Sequence, residues 1–223
     1  MKKAFTLSEV LITLGIIGVI AAITMQVIFT NIQNKGYVER MKKAYSLIQN
    51  TTLQIINEEG KPSNWILDAF GMNSQALNER VVNMYAEKMN AVKNCGLTNY
   101  TANSCLLGST SYNGLSGKHV HDYKSIFWYS YPFVLPDGTT IVLKFESNVG
   151  AVFWGNPDII FIVDVNGKQK PNKIGRDIFY FYMNKNENGK VHPYGDTQTD
   201  DCNKNDSGYT CAYKIITEGK MNY

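Results

Sequence analysis

One carboxylate, Glu9, borders the longest uncharged stretch of the chain, which runs from Val10 to Asn34. A charge at the edge of a membrane segment is unfavourable unless it finds a partner or reaches water. Ionisable residues in such positions are therefore functional candidates by default. Glu9 is the first candidate for a functional residue, and a carboxylate that merely extends to the membrane surface is the alternative.

The cysteines fall into two local pairs, Cys95 with Cys105 and Cys202 with Cys211. Zinc sites usually contain the closer C-x-x-C spacing, so a zinc centre is not indicated. Two short disulfide loops are the preferred interpretation over free thiols. Because disulfides persist in oxidising compartments, this part of the chain is predicted to lie outside the cytoplasm.

An acidic segment near the C-terminus has oxygen-bearing side chains at alternate positions, Asp201, Asn203 and Asn205, as a calcium loop does. The EF-hand pattern is incomplete, because Asp206 stands where Gly is required and Ala212 where the bidentate Glu belongs. A solvated loop closed by a disulfide is therefore the preferred interpretation, with a calcium site as the alternative. No other cofactor is predicted.

The chain lacks the sequence patterns of common catalytic sites, G-x-S-x-G, H-E-x-x-H and the phosphate-binding loop. Its three histidines are His119, His121 and His192. His119 and His121 could bind a metal from one face of a strand, but no third ligand is obvious nearby, so two solvated loop histidines are preferred. An enzyme is not predicted.

The composition is that of a folded protein with one core, since the 223 residues are 44% hydrophobic and 18% charged. The formal charge of +3 includes Lys2 and Lys3, and the rest of the chain is close to neutral. No basic cluster occurs along it. Nucleic acid is therefore not an implied partner.

Glu9 is positioned by a predicted long helix. Val10–Thr30 is apolar and, at about 1.5 Å per residue, long enough to span a hydrocarbon core of about 30 Å. Lys2 and Lys3 favour a cytoplasmic N-terminus, with the rest of the chain exported. The helical pattern then continues as an amphipathic stretch up to Gly60-Lys61-Pro62. Its apolar positions are Tyr37, Met41, Ala44, Tyr45, Ile48, Thr52, Ile55 and Ile56.

A cleaved secretory signal is the alternative interpretation of the N-terminus, because it also combines a basic start with an apolar run. The nearest cleavage site for such a signal is Ile20-Ala21-Ala22, where a bulky Ile occupies a position that should be small. The helical pattern also extends past the apolar run. A continuous membrane-spanning helix is therefore preferred.

The segment after Pro62 is predicted to contain a second helix and an antiparallel sheet. Apolar residues at helical spacing favour a helix over Asn73–Val92. The amphipathic half of the first helix needs an apolar surface and the sheet needs a cover, so the two should pack together in an α+β fold. The predicted strands are Ile126–Val134, Thr139–Glu146, Ile159–Val165, Asp177–Met183 and Ala212–Ile216.

The string Phe5-Thr6-Leu7-Ser8-Glu9, after a short basic leader, resembles the processing site of type IV prepilins and type II secretion pseudopilins. The resemblance implies cleavage between Ala4 and Phe5 by the prepilin peptidase and N-methylation of the new Phe5 terminus. Ala4 stands where the family most often has Gly. The resemblance also implies that Glu9 pairs with the terminal amine of a neighbouring subunit, so that assembly neutralises both charges.

This resemblance divides the chain into a leader (1–4), a transmembrane and polymerisation segment (5–30), an amphipathic segment (31–60) and an exported head (61–223). It implies a filament subunit in the inner membrane, with a periplasmic or extracellular head. Its partners would be other pilin or pseudopilin subunits, prepilin peptidase, the inner-membrane assembly platform and lipid.

The finer assignment rests on the head. Its size and the segment DVNGKQKPNKIGRDIFYF favour a type II secretion pseudopilin, while adhesion, motility and DNA-uptake pilins stay open. Some major pseudopilins hold calcium in a C-terminal loop, which favours the Asp201 site more than its spacing alone does. The alternative from a different class is an uncleaved membrane protein whose exported head binds a ligand or is an enzyme.

Overall fold

The described part of the chain begins with one uninterrupted helix, α1, over Leu7–Glu59. The computed structural model describes residues 6–66, 74–98, 103–107, 111–119, 129–145, 158–196 and 200–223. The chain forms two compact units, Met1–Gly36 and Tyr37–Tyr223, and α1 contributes residues to both. The prediction of a single long N-terminal helix is confirmed.

In the first unit, α1 carries apolar side chains on all sides. Its large hydrophobic residues from Leu7 to Ile32 are exposed, most of them by more than half of their surface. Among the described residues, α1 is the one helix that is long and apolar enough to cross a membrane. A helix that is apolar all round suits lipid or a surrounding of other helices.

Three threonines lie within this apolar segment without leaving a free hydroxyl. Thr13, Thr24 and Thr30 each donate a hydrogen bond of 2.9 Å to the carbonyl four residues earlier. Because lipid offers no hydrogen bonds, a hydroxyl that is satisfied within its own helix can be placed there. These side chains are therefore compatible with the predicted membrane span.

The second unit is built on a six-stranded antiparallel sheet in which each strand pairs with the next along the chain. The strands are β1 (Lys93–Asn94), β2 (Ser130–Val134), β3 (Thr140–Phe145), β4 (Ile159–Asp164), β5 (Ile178–Met183) and β6 (Val191–Pro193). Three further helices lie within the described ranges, α2 (Pro62–Trp65), α3 (Ser74–Lys88) and α4 (Cys211–Glu218).

One face of the sheet packs against the second half of α1. Tyr45 stacks on Phe181 with ring centroids 5.1 Å apart, and its hydroxyl donates to the Val191 carbonyl at 3.0 Å. Gln49 donates to the Gly189 carbonyl at 3.0 Å and accepts from the Val191 N–H at 2.9 Å. The predicted α+β fold, with the amphipathic stretch of α1 on the sheet, is confirmed.

The opposite face of the sheet is buried as well, which the sequence analysis did not anticipate. Every residue of β3, β4 and β5 is buried, so neither face of these strands is solvated. Loop segments cover much of this opposite face. Loop residues in this second core include Cys105, Leu106, Tyr112, Ile174, Tyr194 and Tyr209.

One predicted strand is wrong, because Ala212–Ile216 lies within helix α4. Ala212 and Ile215 are buried while Tyr213 is exposed, which is helical spacing. Gly219 ends the helix in the left-handed conformation, with φ of 75° and its N–H bonded to the Ile215 carbonyl. An apolar run this short does not by itself distinguish a strand from a helix.

The other elements differ from their predicted bounds by a few residues. The remaining predicted strands correspond to β2, β3, β4 and β5, and the predicted helix Asn73–Val92 corresponds to α3. Residues 126–128, Asn73 and Glu146 lie outside the described ranges. Strands β1 and β6 were not predicted, because they contain only two and three residues.

Candidate functional site

The N-terminus of α1 is closed by a reciprocal pair of residues, Thr6 and Glu9. The backbone N–H and the hydroxyl of Thr6 both donate to Glu9 Oε2 at 2.8 Å. In return, the backbone N–H of Glu9 donates to Thr6 Oγ1 at 3.3 Å. The Thr6 carbonyl accepts from the Val10 N–H at 3.2 Å. This arrangement is a capping box, which satisfies amide donors that a helix N-terminus otherwise leaves unpaired.

The capping box gives Glu9 partners within its own chain. Its signature is readable in Thr6-Leu7-Ser8-Glu9, but the prediction for Glu9 considered only the charge. The groups that bond the carboxylate in the structure are neutral, and Oε1 accepts no hydrogen bond from any described residue. Among the described residues, this cap therefore leaves Oε1 available to a cation.

The predicted processing site directly precedes this capping box. Ala4 and Phe5 lie outside the described residues, and Thr6 is the first residue that follows them. Cleavage between Ala4 and Phe5 and methylation of Phe5 therefore stay predictions. The position of Thr6 means that a new terminus at Phe5 would lie one residue before the helix cap.

Two glycines leave the surface of α1 open within its apolar segment. A Cβ atom added at Gly15 or Gly18 would meet no other atom within 4 Å. Glycines at a helix surface let a second helix approach closely. The helix therefore presents a small-residue patch at these positions, although the patch alone does not identify a partner.

The structure joins the cysteines as two disulfides, Cys95 with Cys105 and Cys202 with Cys211. Cys105 lies in the core on the loop-covered face of the sheet. Cys202 and Cys211 are fully buried in the core on the α1 face, and Cys211 is the first residue of α4. Both bridges fix loops to the core, which is a structural role.

Two of the three predicted calcium ligands, Asp201 and Asn203, already accept hydrogen bonds within their own loop. Asp201 Oδ1 accepts from the Thr210 N–H at 2.8 Å and from the Thr210 hydroxyl at 2.6 Å. Asp201 Oδ2 accepts from the Ser207 hydroxyl. Asn203 Oδ1 accepts from the Asn205 N–H at 3.0 Å. These contacts organise the loop, and a calcium ion at Asp201, Asn203 and Asn205 stays the alternative to the preferred solvated loop.

The three histidines are not brought together by the described part of the fold. His119 Nδ1 lies 2.9 Å from the Tyr112 carbonyl oxygen, and His121 lies outside the described residues. Within the described ranges, no group of His, Cys, Asp and Glu side chains has the arrangement of a metal site. The pair His119 and His121 therefore gains no support as a metal site.

His192 belongs to a separate polar group in the second unit. Its Nδ1 lies 2.9 Å from Asp196 Oδ2 and its Nε2 lies 2.6 Å from Glu187 Oε2. The Tyr182 ring stacks on the imidazole, and the Tyr182 hydroxyl donates to Asp196 at 2.9 Å. The group ties β5 and β6 to the turn between them.

A buried polar cluster around the β4–β5 loop was missed by the sequence analysis. Burial raises the pKa of Asp164, the last residue of β4, well above its usual range, and the charge of Asp177 adds to this shift. Burial also raises the pKa of Asp177, although N–H groups of Lys173 and Asn172 act in the opposite direction. The sequence analysis used this segment only for its resemblance to pseudopilin-like sequences, and Asn172 and Asp177 lie too far from Asp164 along the chain to suggest a shared site.

Comparison with known proteins identifies the N-terminus alone. Residues 1–25 match the family model of the prokaryotic N-terminal methylation motif. No curated protein and no solved structure matches the chain. Together with the exposed apolar helix, the motif supports a membrane-anchored, type IV pilin-like subunit that assembles with other pilin subunits, and it suggests a structural protein more than an enzyme.

Proposed function

We propose that the protein is a structural subunit of a type IV pilus-like filament, of the type II secretion pseudopilin kind. The observation that carries this proposal is the methylation motif over residues 1–25, which overlaps the exposed apolar segment of helix α1. A surface of this kind needs lipid before assembly and other helices afterwards. One segment can therefore serve as both membrane anchor and polymerisation surface.

The proposed maturation begins at the leader. Prepilin peptidase removes residues 1–4 on the cytoplasmic side, and Phe5 becomes the N-methylated terminus. Residues 5–30 then anchor the subunit in the inner membrane, while residues 31–60 connect them to the exported head, 61–223. The disulfides at Cys95–Cys105 and Cys202–Cys211 are consistent with an oxidising compartment for the head.

The proposed role of Glu9 is to attract the positively charged terminus of a neighbouring subunit. A charge inside a membrane is unfavourable when unpaired, so two opposite charges that meet only in the polymer favour assembly. The capping box supports this role, because it orients the carboxylate through neutral donors and leaves Oε1 unbonded among the described residues. The assembly platform would deliver subunits to this contact.

The pseudopilin assignment is the finer part of the proposal. It rests on the size of the head and on the resemblance of the segment from Asp164 to Phe181 to pseudopilin-like sequences. Complementation of a secretion-deficient pseudopilin mutant would support it. Restored piliation or DNA uptake without restored secretion would assign the subunit to a different filament.

N-terminal mass spectrometry of the membrane-extracted protein tests the proposal directly. A mature chain that begins with N-methylated Phe5 is the expected result. An Ala4→Leu variant provides the matched control, because a bulky side chain before the cut should leave the leader attached. Retention of Met1 to Ala4 in the wild-type chain, in cells that process other prepilins, contradicts the proposal and favours an uncleaved membrane protein.

A further inference from the structure

The loop between β4 and β5 buries four side chains that each carry a side-chain oxygen. Asp164, Asn172 and Asp177 are at most 3% exposed, and Asn166 is 9% exposed. Polar groups buried to this degree are normally hydrogen-bonded, and buried charges are normally paired. The concentration of such groups in one loop therefore requires a physical account.

Among the described residues, three oxygens of this cluster have no hydrogen-bond partner. They are Asp164 Oδ2, Asn166 Oδ1 and Asn172 Oδ1. The other polar atoms nearby are used: Asp164 Oδ1 accepts from the Asn166 N–H at 3.2 Å, and Asn166 Nδ2 donates to the Lys170 carbonyl at 3.2 Å. What is missing at the three free oxygens is thus an electron-pair acceptor.

Asp177 holds the loop in the conformation that buries these oxygens. Its carboxylate accepts from the Asn172 N–H at 2.8 Å and from the Lys173 N–H at 2.6 Å. Asn172 has a φ of 52°, a left-handed conformation that is uncommon outside glycine. Asp177 therefore fixes Asn172 in an unusual backbone position and adds a second negative charge to the loop.

No described lysine or arginine lies within ion-pair distance of these two carboxylates. Neither Asp164 nor Asp177 is in any ion pair among the described residues. Arg40 directs Nη1 to the Val165 carbonyl at 3.1 Å, and Arg176, although in the same loop, leaves Nε without a hydrogen bond. Two buried negative charges without a counter-charge are strongly unfavourable.

A divalent, oxygen-preferring cation would bind the unpartnered oxygens and balance the charge of the two carboxylates. Calcium takes carboxylate and amide oxygens as ligands, and a charge of two balances two carboxylates. Asp164 and Asn166 also stand at alternate positions, the spacing of the first two ligands in many calcium loops. We infer that the β4–β5 loop binds a calcium-class cation through Asp164, Asn166 and Asn172, with Asp177 as positioning residue and counter-charge.

This site lies in the second unit and does not depend on the proposed function. Asn166 Nδ2 also donates to the Tyr37 hydroxyl of α1 at 3.3 Å, so the loop contacts the helix that covers the sheet. Binding to the folded chain alone raises its stability through mass action. The expected consequence is that the cation stabilises the contact between this loop and α1.

Calcium titration of the full chain in detergent tests the inference. Chelator-treated protein should bind one Ca²⁺ per chain by calorimetry, and Ca²⁺ should raise its melting temperature. Asp164→Asn and Asn172→Gly should each weaken binding by more than about tenfold, since each removes a ligand or its charge. Glycine suits the positive φ of Asn172, so the second substitution removes the side chain without backbone strain.

Two comparisons separate a lost ligand from a damaged fold. In chelator, Asp164→Asn should melt no lower than the wild type, because it removes a buried charge. Asp201→Asn, in the C-terminal loop, should leave calcium binding unchanged. Absence of calcium heat and of a melting shift in the folded wild type overturns the inference. Binding that survives both loop substitutions, or that is lost in Asp201→Asn instead, also overturns it.

Discussion

The carboxylate of Glu9 accepts a hydrogen bond of 2.8 Å from the backbone N–H of Thr6, and the Glu9 N–H donates back to the Thr6 hydroxyl. Glu9 therefore has two separable properties, the cap that it forms and the charge that it carries. An alanine substitution removes both at once. The structure offers a better experiment, because glutamine can take the place of glutamate in a capping box.

We predict that Glu9→Gln reduces incorporation into filaments nearly as much as Glu9→Ala, because both remove the charge that the neighbouring terminus needs. Thr6→Val should keep the charge and lose only the cap, at about 0.5–2 kcal/mol of local helix stability, and should assemble better than either. Sheared-filament yield measures the outcome, and N-terminal mass spectrometry checks processing. Near-normal assembly of a processed Glu9→Gln chain would refute the charge-pairing role.

A buried hydrogen bond links α1 to α3 in the second unit. The hydroxyls of Thr52 and Tyr85 are 2.7 Å apart, and the Thr52 hydroxyl also donates to the Ile48 carbonyl at 2.8 Å, so Tyr85 is the donor in the pair. Burial raises the pKa of Tyr85 above its usual range. Its hydroxyl is thus neutral at all pH values of interest.

We predict that Tyr85→Phe lowers the free energy of unfolding by about 0.5–1.5 kcal/mol, since it removes one buried hydrogen bond and keeps the ring. Denaturant unfolding of the full chain in detergent measures the change. Tyr213→Phe is the matched control, because the Tyr213 side chain is exposed and should have little effect. An equal loss in both variants would show that the hydrogen bond between Thr52 and Tyr85 does not account for the effect of Tyr85→Phe.

The long helix and the central strands could be predicted because their patterns extend over many residues. The apolar run of α1 is followed directly by apolar residues at helical spacing, which a single long helix explains. Strands β3, β4 and β5 consist mainly of β-branched and aromatic residues. Helix α4 could not be distinguished from a strand, because its apolar core is one short run. The cover on the second sheet face depends on loop residues such as Leu106 and Tyr209, which carry no periodic signal.

The polar sites also differ in whether they could be predicted from the sequence. The cap on α1 is local, so its Ser/Thr-x-x-Glu signature was available in the sequence. The cluster of Asp164, Asn172 and Asp177 was not, because it depends on a left-handed turn at Asn172 that folds distant parts of the loop together. Burial distinguishes these side chains from the Asp201 loop, and burial is a property of the fold and not of the spacing.

The disulfide at Cys202–Cys211 fastens the acidic loop to the start of α4. Both sulfur atoms are buried, whereas Cys95 in the other bridge is only partly buried. We predict that replacing both cysteines of either pair by serine lowers the free energy of unfolding by about 2–4 kcal/mol. Because the two loops are almost equally long, the fuller burial of Cys202 and Cys211 should make their loss the larger one. Denaturant unfolding measures this loss. Reductant that breaks both bridges of the wild type should cause a loss at least as large as that of either variant.

The final prediction concerns acid and the turn before β6. The hydrogen bond from the Asn184 side chain holds the pKa of Glu187 below its usual range; partial burial opposes this shift, and His192 reinforces it. A carboxylate whose pKa is lower in the folded than in the unfolded state stabilises the fold above the unfolded value of about 4.5. That contribution is lost as the pH falls through the lower, folded value.

We therefore predict that Glu187→Gln is less stable than the wild type at pH 7, by less than about 1 kcal/mol because the side chain is partly exposed. The difference should shrink as the pH falls below about 4.5, the unfolded pKa of Glu187, and should be lost as the pH passes the lower, folded pKa. Melting temperatures from pH 7 to pH 3 measure it, and Asn184→Ala should show a smaller change of the same sign. A difference that stays constant across this range would mean that the Glu187 charge is not responsible.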